Sequence, residues 1–452
     1  MTTRLSILLP LLAGLASVCA GLSVPSRHEG PGFLSFPIEH SRRVRSVVKR
    51  QEDSSVPLFN VSAISYLIEL SIGTPGQSVK VAIDTGSDEL WVNPDCNDPS
   101  LTRDQVQECT SDGFYNIQNS KTGSTAGIVG ASSNSIPYGK GNVSIDYVKD
   151  DMALPGSDIT LKDVQFGVAT ASSELNEGIV GLAFGRDANL DYSNFIDIMQ
   201  EQKVTNSKAF SIALGSADSD NGGVAIFGGV DTKKFAGPLM TNAILGPQFR
   251  GDVERYYLQL DSISRGGGKA YGGLSSDFVI VLDSGSSLSY LPPKVLSAMA
   301  QDLGASFIRS QQIYMAPCSL LDSSSTLDFD FGNGTVVKVP VGEFILQLDA
   351  QNCVLGALPM DAGSGVDAIL GDTFMRAVYV VFDQTTKTIS MAPFVNCGQN
   401  EQAIPASGAA GFKGECDGGA AATNKNAAAG GGRSSVWGSG VVALLVAALV
   451  LV

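Results

Sequence analysis

The chain has 452 residues, a formal net charge of −15, 44% hydrophobic residues and only 17% charged ones. So acidic a balance argues against nucleic acid as a partner, and a charged fraction below the ~25% usual for soluble domains points to apolar segments outside a folded body. The length fits two or three domains or one large bilobal one, and 51 glycines imply many turns.

In chain order, LSILLPLLAGLASVCA follows one arginine and ends Val18-Cys19-Ala20, so residues 1–20 read as a secretory signal peptide cut after Ala20. Arg42-Arg43 and Lys49-Arg50 are dibasic pairs, and residues 21–50 read as a pro-segment. That segment is net basic, so an acidic body would hold it by charge and release it as carboxylates become protonated. Both histidines, His28 and His40, precede Lys49-Arg50. After a cut there the working protein contains none, which excludes serine–histidine and cysteine–histidine nucleophiles and histidine-ligated metals.

From about residue 61 to 396 the chain is a series of short alternating or apolar runs broken by Gly, Asn, Ser and Pro. YLIELSIG, VKVAID, GNVSIDYV, FSIAL, VAIFGG, YYLQLDSI, VIVLD and YVVFD predict strands. YSNFIDIMQEQKV and PPKVLSAMAQDLG predict helices, so the class is mainly β. Residues 398–426, rich in Gly, Ala and Ser, read as a flexible stalk. In residues 427–452, a polar spacer leads to VVALLVAALVLV, too short to span a bilayer comfortably. Small residues, spacer and apolar tail in that order form a GPI-anchor signal. Attachment is expected at Asn426, or else at Gly430 or Gly431, and a tail-anchored helix starting near Val436 is the alternative reading.

Six cysteines remain once Cys19 leaves, an even number that fits disulfides in a secreted chain. Sequence order favours Cys96–Cys109, Cys318–Cys353 and Cys397–Cys416, although six cysteines allow fifteen pairings. None has CxxC spacing, so no metal site is expected. Asn60, Asn142 and Asn333 head glycosylation sequons.

The informative feature is a repeat. VAIDTGSDEL at 81–90 recurs as IVLDSGSSLS at 280–289, so Asp84 and Asp283 each follow an apolar strand and precede a hydroxyl residue, glycine and serine. A turn capped at the surface would need neither the apolar approach nor the duplication. Gly86 and Gly285 permit tight turns, and Thr85, Ser87, Ser284 and Ser286 can donate to carboxylates. Two such turns set face to face force two carboxyls together, which cannot both ionise easily and so share a proton.

On these residues the chain resembles the pepsin-type aspartic proteases, most closely the yapsin-like GPI-anchored surface members in fungi. SIGTPGQ at 71–77 is similar to the family's first hairpin, IPYGKG at 136–141 to its flap, EGIVGLAFG at 177–185 and DAILGDTFMRAVYVVFD at 367–383 to the segments beneath each acid turn, and FGGVDTKKFAGPL at 227–239 to the connection between lobes.

The resemblance implies a bilobal fold of two related β lobes, residues 51–240 and 241–397, with a cleft between them. It implies an acid-pH endopeptidase made as a zymogen and displayed on the cell surface, with Asp84 and Asp283 activating water without a cofactor. Aspartic proteases are the standard example of such proton sharing. Either acid could be the protonated one. Tyr138 would be the flap tyrosine, Gly139 a main-chain partner of substrate and Trp91 the partner of Tyr138. Ser87 and Ser286 would bond the outer oxygens of the dyad, while Thr85 and Ser284 brace the turns. Partners would be protein or peptide substrates and, through the lipid anchor, a membrane; the chain would act as a monomer.

Ser284 stands where the family more often has threonine, a change expected to matter little. Lys140 on the flap argues against a preference for basic substrates, while Asp88 and Glu89 are expected in a solvated turn. Two other classes compete: an inactive binding protein sharing the fold, and a carboxylate-pair glycosidase.

Overall fold

The computed structural model describes residues 32–43, 63–93, 96, 103–139, 141–173, 177–216, 223–247, 253–360 and 368–417. The signal segment, Lys49-Arg50, Asn60, Lys140, Asn426 and the apolar tail lie outside the described residues.

The strands that position the site begin with β1 (Leu34–Arg43), β2 (Ala63–Ile72), β3 (Gln77–Asp84) and β4 (Leu90–Val92). A hairpin follows, β5 (Ser133–Pro137) and β6 (Asn142–Ala153), then β7 (Thr160–Ser173), β8 (Gly178–Gly181), β9 (Ala209–Ala213) and β10 (Gly223–Phe227). Strand β3 alternates at its start but is buried at each of its last four residues. It runs inward between antiparallel β2 and parallel β8, where both faces are covered. The strand Val279–Leu282 repeats this arrangement, lying between antiparallel Tyr257–Gln259 and parallel Ile369–Leu370. Each acid therefore leaves the end of a covered strand that has a parallel neighbour on one side.

The expected cut between residues 240 and 241 does not divide the sheets. Val378–Asp383 pairs with β9, Thr388–Pro393 with Val378–Asp383, and Met240–Ala243 with Thr388–Pro393, so late chain extends the sheet of the first half. The anticipated helices are present as Phe195–Glu201 and Pro293–Asp302. A further helix, Arg103–Asp112, was not foreseen, because RDQVQECTSD has no apolar stripe. The run YYLQLDSI divides into two strands, Tyr257–Gln259 and Ser262–Arg265, in separate sheets.

Two expectations need correction. Within residues 21–50, β1 is no appendage resting on charge alone. It lies inside the sheet between β10 and β2 and buries Leu34, Phe36 and Ile38, with Phe36 edge-on to Phe227 at 5.5 Å. Its Glu39–Lys80 ion pair is solvent-exposed, and such pairs contribute ~0–1 kcal/mol against ~1.5–3 kcal/mol for a buried large apolar side chain. Nor are residues 398–417 a flexible stalk. Glu401–Ala403 pairs with Gly229–Asp231, Ile404 is fully buried, its N–H donates 2.7 Å to the Gly228 carbonyl, and Cys416 is bonded to Cys397. The Gly/Ala composition concealed a buried isoleucine and a covalent tie.

Candidate active site

Asp84 and Asp283 stand at facing turns, and both are fully buried. Each turn rests on a glycine segment. Beneath Asp84, the Leu182 N–H donates 2.7 Å to the Asp84 carbonyl and the Ala183 N–H 2.9 Å to that of Ser87. Beneath Asp283, its own N–H donates 3.1 Å to the Leu370 carbonyl, and the Asp372 N–H 2.8 Å to that of Ser286. A Cβ at Gly181 would come within 2.4 Å of the Glu89 nitrogen, and one at Gly371 within 2.3 Å of the Ser286 oxygen. Only glycine allows main chain so close beneath each acid.

The hydroxyls following the acids lock the turns together. Thr85 Oγ1 donates to the Leu282 carbonyl at 2.9 Å and accepts from the Ser284 N–H at 3.0 Å. Reciprocally, Ser284 Oγ donates to the Ile83 carbonyl at 3.0 Å and accepts from the Thr85 N–H at 3.2 Å. These four buried bonds join the halves of the molecule directly under the carboxyls, and serine serves at 284 because only its hydroxyl takes part.

The carboxyls are not equivalent. Asp84 accepts from the Gly86 N–H at 2.8 Å and from Ser87 Oγ at 2.5 Å. Asp283 accepts from the Gly285 N–H at 2.8 Å. Ser286, anticipated as the counterpart of Ser87, donates instead to the Leu288 carbonyl at 2.7 Å. The two carboxyls face each other closely enough for each to bear on the other's ionisation. Burial raises Asp84, and its Ser87 and Gly86 donors oppose the rise. Burial and then the Asp84 charge push Asp283 well above the ordinary carboxylate range. Asp84 thus has more donors to its anionic form than Asp283.

At the tip of the β5–β6 hairpin, Tyr138 is buried and accepts a hydrogen bond from Trp91 Nε1 at 2.8 Å, whereas Gly139 is exposed. The turn after Asp84 departs from expectation. Glu89 is 5% exposed rather than solvated: Asn134 Nδ2 donates to Oε1 at 2.8 Å, Tyr192 OH to Oε2 at 3.1 Å, and Tyr147 OH also to Oε2. Asn134 lies on β5 and Tyr147 on β6, so this carboxylate ties the hairpin to the acid turn. Asp88 is half-buried, and burial together with Glu89's charge raises it to about 6. No doublet pattern in the sequence marks Tyr147 or Tyr192, because the three side chains meet only once the hairpin folds over.

Arg255 is the other group that sequence reasoning missed. Its guanidinium donates to the carbonyl of Gly86. Elsewhere, the sulfurs join as Cys96–Cys109, Cys318–Cys353 and Cys397–Cys416. Asn142 and Asn333 are both exposed, the latter in a left-handed turn at φ 52°. No cluster of residues suited to a metal ion occurs among the described residues.

Duplicated, cross-braced turns that each carry a buried acid are the arrangement found in aspartic proteases. The sequence profile of the eukaryotic aspartyl protease family matches residues 65–394. "Probable aspartic-type endopeptidase opsB" of Aspergillus oryzae is 31% identical over 391 residues, covering 81% of this chain and 77% of its own. "Secreted aspartic protease 5" of Candida albicans is 30% identical over 368 residues, 79% of this chain and 82% of its own. "Candidapepsin-2" of Candida parapsilosis is 30% identical over 385 residues, 82% and 87% respectively. The chain belongs to the eukaryotic aspartyl protease family and is an aspartic-type endopeptidase.

Proposed function

We propose that the protein cleaves peptide bonds at acid pH with water activated between Asp84 and Asp283. The observation that carries this reading is the fully buried pair of acids on two turns braced to each other by four hydrogen bonds. Asp84, with two donors, takes the water's proton, while Asp283 donates to the substrate carbonyl and stabilises the tetrahedral intermediate. In this reading the hairpin tip lifts to admit substrate to the covered carboxyls. Gly139 then offers main-chain groups to the peptide, and Tyr138 closes over it on Trp91.

Export, zymogen processing at Lys49-Arg50 and display through a GPI anchor at Asn426 belong to the same proposal. Support comes from the signal-like first segment, the dibasic pair, the three disulfides and the apolar tail after a small-residue spacer. Secreted relatives point the same way. Glycans at Asn60, Asn142 and Asn333 and action as a monomer complete the reading. The test is hydrolysis of a denatured protein at pH 4 with and without a statine peptide that mimics the tetrahedral state. Cleavage blocked by the statine supports the proposal. No cleavage, or cleavage indifferent to it, overturns the proposal and favours the binding-protein or glycosidase alternative.

A further inference from the structure

Resting on that dyad reading, we propose that Arg255 is a positioning residue for the acid pair: its guanidinium, anchored on the Gly86 carbonyl, holds positive charge over the turn that touches both carboxyls and so sets the reaction's pH window lower than the pair alone would.

The geometry comes first. Gly86 donates its N–H to Asp84, and a Cβ built on it would lie 2.7 Å from the carboxyl atoms of Asp283. A cation bound to the Gly86 carbonyl is therefore one residue's breadth from both acids. The main chain around Arg255 is fixed to the first half of the molecule on both sides. Glu254 and Asn189 exchange two hydrogen bonds of 2.8 Å, and Tyr256 OH donates 2.6 Å to the carbonyl of Leu182, the residue whose N–H supports Asp84. Gln384 Nε2 in turn donates to Tyr256 OH at 2.7 Å. Arg255 is half-buried there, and a guanidinium as a class carries its charge throughout the acid range.

Among the described residues, the other ionisable groups that bear directly on the pair are acids or phenols. Asp88 and Glu89 follow it in the same turn, Tyr138 faces it from the hairpin, Tyr290 from Ser289–Leu291, and Asp372 from the short helix Asp372–Met375. Burial and the nearby Asp84 charge push Asp372 well above the carboxylate range, against the opposing charge of Arg376. Glu254, beside Arg255, is paired with Lys387. Among the described residues, Arg255 acts on Asp84, Asp283 and Asp88 alike, and it lowers all three against burial.

The test is the profile of kcat/KM against pH for the full chain, whose two limbs report the pair's apparent ionisations. Replacing the charge in Arg255→Gln should move both limbs upward. One pH unit above the wild-type alkaline midpoint, the variant's rate relative to its own maximum should be about threefold higher or more, the effect of half a unit. Arg255→Lys should restore the wild-type position. Asp88→Asn, measured alongside, separates that group's own ionisation from the limb. Should Arg255→Gln fail to fold, Arg255→Met, an uncharged unbranched side chain, takes its place with the same expected upward shift of both limbs. A bell that stays in place in Arg255→Gln overturns the inference, whether the rate falls at every pH, as for a structural strut, or rises at every pH, as for a cover removed from the acids. A wild-type chain without a bell, or an active Asp84→Asn variant, would instead overturn the dyad reading.

Discussion

Thr85→Val exchanges a hydroxyl for a methyl of similar size at a fully buried position. The variant loses the donor to the Leu282 carbonyl and the acceptor of the Ser284 N–H, so two buried main-chain groups are left without partners. Each such group costs ~1–3 kcal/mol, giving about 2–6 kcal/mol against a total stability of ~5–15 kcal/mol. Thr85→Ser keeps both bonds and loses one buried methyl, worth ~0.8 kcal/mol. Urea midpoints and slopes at neutral pH, outside the proposed acid range of activity, compare the three proteins. The expected order is wild type, then serine closely, then valine far below. A valine variant as stable as the serine one would refute the claim that the crossed hydroxyl bonds, rather than packing, join the halves under the acids.

Glu89→Gln replaces an acceptor-only group with one that presents NH2 to tyrosine donors; it should loosen the hairpin, raising KM several-fold with less effect on kcat, read from initial rates. Phe36→Ala should destabilise the unprocessed chain by ~3–5 kcal/mol, measured by urea unfolding, because β1 is part of the sheet. Removing Cys318 and Cys353 together should cost about 4 kcal/mol by the loop-entropy relation for a separation of 35 residues, seen as a lower melting temperature. Asp88 ionises at about 6 when folded and near 3.8 when unfolded, so the folded state binds the proton more tightly. Its contribution to stability is complete below pH 3.8 and disappears as pH rises through about 6. Melting temperatures followed from pH 4 to 7 should fall less steeply in Asp88→Asn than in wild type.

The acid turns were legible because duplication makes a pattern that a single Asp-Thr-Gly does not. The strands beside them were equally visible, since covered β3 and Val279–Leu282 read as apolar runs ending in Asp. What escaped depends on side-chain direction. Ser87 and Ser286 occupy the same place in the repeat, yet one reaches an acid and the other a neighbouring carbonyl. Glu89 looked solvated because tyrosines 58 and 103 residues away neutralise the cost of burying it. Ile404 sits alone in a Gly/Ala-rich stretch, so composition outweighed one buried residue and one disulfide. Arg255 belongs to no motif, and its reach to Gly86 spans 169 residues of sequence.

The most direct measurement is turnover at pH 4 by Asp84→Asn and by Asp283→Asn, each checked for unchanged unfolding in urea. The paired-acid account predicts that both lose at least about a hundredfold in kcat, as expected when a general acid or base is removed. Retention of wild-type activity within a factor of ten by either variant would contradict it.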